Sequence, residues 1–141
     1  MVKVAPKAMQ TVESMNTKVD LTEEGTAYTG LDSYGKIMIG NKAFEFYNDR
    51  KNDDYIQIPW TQVDYVIVSV LFGGRRIPRF AVRTKSGVDY SFSSRHPHTL
   101  LRAIRKYVPA DHIVKSLSFF QVIRNGIKKL WQRLTHSNKK N

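Results

Sequence analysis

Between residues 25 and 94 the chain is cut at short intervals by glycine, proline and clusters of small polar residues. The pieces between the cuts are rich in β-branched and aromatic side chains. That rhythm leaves no room for long helices and predicts short antiparallel strands. The pieces run over 26–30, 35–39 (after a turn at Asp32-Ser33), 43–47, 55–58, 63–72, 79–84 and 88–93. Pro59 stops the fourth, because proline cannot donate to a ladder. Gly73-Gly74 breaks the fifth, whose Val66, Ile67, Val68, Val70 and Leu71 are candidate core. Seven such strands predict a mainly β fold, a small antiparallel barrel or sandwich.

Two helical patterns follow. Over 97–108, Leu100, Leu101, Ile104 and Val108 recur at helical spacing, Pro97 lies in the first turn and Pro109 ends the run. This helix is expected to cap one open end of the strands and bury Leu100, Leu101 and Ile104. Over 117–134, stepping about 100° per residue gathers Phe119, Phe120, Ile123, Ile127, Leu130, Trp131 and Leu134 into one arc about 120° wide. Arg124, Lys128, Lys129 and Arg133 fall outside it. A chain of this length closes a single modest core, and the elements up to residue 108 supply it. The apolar arc therefore needs another surface: the outside of its own barrel, a partner protein, or a membrane interface. The expected organisation is a flexible arm over 1–22, a β domain over 23–109, and a basic amphipathic helix with its tail over 110–141.

Charge sharpens the choice. The net charge is +11, and it is unevenly placed. Residues 20–64 hold nine acids against four bases, residues 75–106 nine bases against Asp89 alone, and residues 115–141 seven bases and no acid. An acidic first half thus precedes a basic second half that suits an anionic partner. With no cysteine, disulfide scaffolds, thiol nucleophiles and cysteine-based metal sites are excluded. The most apolar run, 66–72, is far short of the roughly 20 residues of a spanning helix. Residues 1–16 lack the apolar stretch of a secretory signal, which predicts a cytoplasmic protein.

Signatures of catalysis are scarce. Phosphate-binding P-loop, dinucleotide, nucleophile-elbow and zinc-protease motifs are all missing. His96 and His98 make an HxH pair without an obvious third ligand, and Glu23-Glu24 and Asp53-Asp54 read as solvated turns. The expectation is a protein that is not an enzyme and uses no metal and no cofactor. The best small site is the loop from Gly73 to Arg79, where two glycines permit a nest of backbone N–H groups. Arg75, Arg76 and Arg79 are placed to clamp a phosphate or carboxylate there. Nucleic acid is less expected, because Phe44, Phe46, Tyr47, Phe80, Tyr90 and Phe92 alternate as core strand residues rather than as exposed stacking platforms.

Seven strands followed by one capping helix resembles the order of pleckstrin-homology-like and GRAM-like domains over 25–108. A closer resemblance rests on many short runs in order. They include Ser14-Met-Asn-Thr-Lys-Val-Asp20, Thr29-Gly-Leu-Asp-Ser-Tyr-Gly-Lys-Ile-Met-Ile-Gly40, Ile56-Gln-Ile-Pro-Trp60, Ile77-Pro-Arg-Phe-Ala81, Tyr107-Val-Pro-Ala-Asp-His112 and Ser116-Leu-Ser-Phe-Phe120. Together they resemble a bacterial domain-of-unknown-function family of ManO type over 13–127. The genes of that family adjoin those of the mannose-family sugar phosphotransferase system. The resemblance implies no catalytic residues. It implies an accessory or regulatory protein peripheral at the inner face of the cell membrane, docked on the transporter's IIC–IID membrane subunits and modulating sugar uptake. A trimeric transporter would offer three equivalent sites. The residues expected to make the contact are Phe119, Phe120, Ile123, Arg124, Ile127, Lys128, Lys129, Leu130, Trp131 and Leu134, with Arg75, Arg76 and Arg79 as a secondary anion site. Two alternatives accompany this expectation: a soluble regulator of the mannose operon acting on nucleic acid or a transcription factor, and a peripheral module for anionic lipid.

Overall fold

The structure is a computed structural model that describes residues 13–116. Among these residues it is mainly β, with one eight-stranded sheet and one α-helix. The strands are β1 (Val19–Thr29), β2 (Leu31–Gly40), β3 (Ala43–Asn48), β4 (Tyr55–Pro59), β5 (Val63–Leu71), β6 (Arg76–Thr84) and β7 (Asp89–Ser94). Helix α1 (Pro97–Ile104) and strand β8 (Ile113–Ser116) follow. The sheet order is β4-β3-β2-β1-β7-β6-β5-β8, antiparallel throughout except for the parallel pair β5–β8.

All seven expected strands are present. An eighth was missed: β8 lies at 113–116, in the segment assigned to the C-terminal helix and tail. Four residues carry too short a pattern to announce a strand, and only the neighbouring β5 reveals it. The arm also needs correction. β1 begins at Val19, and Ser14 and Asn16 are fully buried, so residues 14–22 belong to the folded body. The first turn moves as well. Thr29 pairs with Leu31, and the chain reverses at Gly30 with φ at 104°, a conformation that suits a residue without Cβ. Asp32 and Ser33 are already in β2. Helix α1 ends at Ile104 rather than at 108, although Val108 is still buried.

The sheet folds back on itself. Phe44 of β3 packs against Phe92 of β7 (4.8 Å between centroids) and Phe80 of β6 (6.0 Å), although three and four steps of strand order separate them. Phe46 completes the group against Phe92 at 5.9 Å. All four rings are buried, together with Ile37, Ile39, Val66 and Val82. Helix α1 closes this core with Leu100 and Ile104, both fully buried, while Leu101 is half-buried at its edge. Within β5 only Val63, Val66 and Val68 are buried, and Ile67, Val70 and Leu71 are half-buried. Rings at these separations combine area burial with favourable edge and offset geometry, so the aromatic group joins the two halves of the sheet across the core, in addition to the β1–β7 ladder.

Candidate functional site

Two polar constellations stand out, and they differ in kind. The first is on the outer side of β3. Glu45 is fully buried there and makes no ion pair among the described residues. Its Oε1 accepts from Ser14 Oγ and from Asn16 Nδ2 (2.7 Å). Its Oε2 accepts from Met15 N–H (2.9 Å), Tyr47 OH (2.7 Å) and Gln57 Nε2 (3.1 Å). Five donors satisfy one carboxylate, which is what a buried charge without a counter-ion requires. Burial, with Glu45 alongside, pushes the Tyr47 phenol well above its ordinary range, so it stays a donor. Asn16 then ties the segment down, its Oδ1 accepting from the backbone N–H groups of Lys42 and Ala43 at 2.8 Å each. Every polar partner here is supplied from within the chain, so the constellation is a clamp for residues 13–16 and leaves nothing for a ligand.

The second constellation is open. The β5–β6 loop, the end of β7 and the start of α1 meet at a cleft of about 330 Å³, lined by Arg75, Arg76, Ile77, Pro78, Ser94, Arg95, Pro97 and His98. His98 Nε2 donates to the Gly74 carbonyl at 2.8 Å and so ties the loop to the helix. Pro97 occupies the first helical position, and no side chain caps the helix N-terminus. Glu23, read from the sequence as part of a solvated turn, is instead buried in β1 behind this region. Its Oε2 accepts from Ser94 Oγ at 2.7 Å, and its Oε1 lies 2.8 Å from His96 Nδ1. That contact is an ion-pair distance, though Oε1 has no aligned hydrogen bond. The two histidines thus point to separate partners, and among the described residues no group of ligating side chains is arranged to hold a metal.

The expected three-arginine clamp is split. Arg75 and Arg76 line the cleft, whereas the Arg79 guanidinium lies 3.7 Å from the centre of the Tyr28 ring. The cause is a register shift. Ser69 pairs with Arg79 but Leu71 with Arg76, so β6 carries one residue more than β5 across the same step. That irregularity buries both Ile77 and Phe80 and turns Arg79 away from the loop. Arg95 takes the third place in the cleft. It lies sixteen residues beyond Arg79 in sequence, so spacing alone could not nominate it. Arg95 also pairs with the exposed Glu24 at 3.2 Å, while Arg75 and Arg76 make no ion pair among the described residues.

The rest of the expected contact surface, from Phe119 to Leu134, lies outside the described residues. Its point of departure does not. β8 runs parallel to β5 with Ser116 opposite Ser69, so the chain heads toward the same end of the sheet as the β5–β6 loop.

A solved structure, the C-terminal domain of an unknown protein from Leishmania infantum, superposes with a TM-score of 0.56 at 9% identity. The match covers 64% of this chain and 83% of that one, and it speaks for the fold alone. Among curated proteins none matches. A family model matches residues 11–127, from the buried clamp through β8 and past it, and the chain therefore belongs to the family described as Domain of unknown function (DUF956).

Proposed function

We propose that the protein is a non-catalytic accessory or regulatory module that binds at the cytoplasmic face of the mannose-family phosphotransferase transporter, on its IIC–IID membrane subunits, and modulates sugar uptake. The link to that transporter rests on the family resemblance carried by the sequence runs from Ser14 to Phe120. The observation that carries the binding role is topological. The chain leaves β8 at Ser116 toward the end of the sheet where Arg75, Arg76 and Arg95 gather. The amphipathic pattern that the sequence carries over 117–134 and the basic loop are the two features that support this reading, one apolar and one anion-seeking.

The test is recovery of the membrane subunits from detergent extracts with the full chain and with an Ile123→Glu/Ile127→Glu variant. The variant is expected to lose most of the transporter. Equal recovery would remove the segment as the anchor. Sugar uptake in cells with and without the protein measures the modulation, and unchanged uptake would sink it.

A further inference from the structure

The tip of the β5–β6 loop has features that the fold does not need. Phe72 is 73% exposed, and its φ is 53°. A bulky L-residue in the left-handed region is strained, and an exposed ring buries little in return. The neighbouring Gly73 and Gly74 also have positive φ and open space around them, so neither packing nor a steric limit explains an aromatic residue beside them. Within four residues come Arg75 and Arg76, both exposed, both lining the cleft that Arg95 completes. An apolar wedge beside Arg75 and Arg76, which make no ion pair among the described residues, matches one environment well: the boundary between the headgroups and acyl chains of an anionic bilayer, where the ring enters the apolar layer and guanidinium groups meet phosphates.

We infer that the β5–β6 tip is a membrane-contact site, with Phe72 inserting into an anionic leaflet while Arg75, Arg76 and Arg95 bind lipid phosphates in the cleft at the start of α1. The site is on the described β body and requires no transporter. It deepens the reading of the protein as a peripheral membrane module by giving the body its own hold on the leaflet, which would set how that body faces the bilayer.

The chain has no cysteine, so a single Cys takes a label at one place. The experiment compares the full chain carrying Phe72→Cys with one carrying Val88→Cys, an exposed position at the opposite end of β6. Each carries an environment-sensitive fluorophore. Vesicles of phosphatidylcholine are compared with vesicles that also contain phosphatidylglycerol, with no transporter present. The label at 72 is expected to shift to the blue and become shielded from an aqueous quencher on the anionic vesicles only, while the label at 88 stays wet. Adding Arg75→Glu and Arg76→Glu should weaken that shielding at least about tenfold in the lipid concentration required. A label at 72 that stays wet on bound protein, or a chain that does not bind the vesicles, overturns the inference. So does shielding that survives the charge reversal. If soluble glycerol phosphate alters the label at 72 and vesicles do not, the cleft is a free-phosphate site and the membrane assignment falls. Because these vesicles contain no protein partner, failure here leaves the transporter recovery test standing, and failure of that test leaves this one standing.

Discussion

The two halves of the sheet share a core but manage their charges in opposite ways. In the half built from β1 to β4, β3 is buried on both faces: Phe44 and Phe46 point into the aromatic core, Glu45 and Tyr47 into the polar clamp. Its buried carboxylate is satisfied entirely from within. In the half built from β5 to β8, β6 alternates buried Ile77, Phe80 and Val82 with exposed Arg76, Arg79 and Arg83. Arg83 is answered by Asp89 through two contacts of 2.7 and 3.0 Å, and Arg79 by the Tyr28 ring. Arg75 and Arg76 are answered by nothing among the described residues. The difference separates charge used to hold the fold from charge left available, and it directs attention to the loop rather than to the buried glutamate.

The contrast can be broken first at the joint that both halves share. Phe92→Ala empties the centre of the aromatic group and is expected to cost about 3–5 kcal/mol in urea unfolding, with Ile104→Ala at about 2–5 kcal/mol. A loss below about 1 kcal/mol for Phe92→Ala would mean that the halves are not joined there. Next, Glu45→Ala strands five donors and should cost about 1–3 kcal/mol. It should also expose Lys18 to trypsin in limited proteolysis; unchanged cleavage would show that residues 13–16 hold without the carboxylate.

A smaller effect is expected where the first half meets the chain after α1. Tyr107 OH donates to Asp20, and that bond, with Lys106 nearby, holds the Asp20 carboxyl below its usual range. Burial and the same contact push Tyr107 up to about 12. Asp20 therefore contributes stability above its unfolded value, lost as pH falls through the lowered folded one. Tyr107 contributes below pH 10 and loses its contribution as pH rises from 10 toward about 12. In Tyr107→Phe the melting temperature should fall less steeply at both extremes than in the unaltered chain; identical profiles would discard the pair as a contributor. The least effect is expected at the tip. Phe72→Gly relieves the positive φ and removes little packing, so stability should change by less than about 1 kcal/mol. A large loss would mean that the ring supports the fold and would merge the tip with the rest of its half.

Much of this architecture was legible from local pattern. Strand identity followed from the alternation of Phe44, Glu45 and Phe46 and from breakers such as Pro59 and Gly73-Gly74, since these act within a few residues. The capping role of Leu100 and Ile104 followed from helical spacing. The clamp was not legible, because Ser14, Asn16 and Gln57 are ordinary surface residue types until the fold brings them to Glu45. The candidate site was half legible. A run of arginines beside glycines announced an anion-binding loop, but the register shift that removes Arg79 and the crossing that brings Arg95 belong to strand pairing.

Sequence alone determined the alternation of strands and turns, the capping helix, the split of charge between the halves and the absence of thiol chemistry, all properties of short stretches or of composition. Tertiary structure decided which carboxylate is buried, which arginines share a cleft, and toward which end of the sheet the chain departs after Ser116. Those outcomes depend on pairings between residues tens of positions apart, where a shift of one residue in register changes the face on which a side chain emerges.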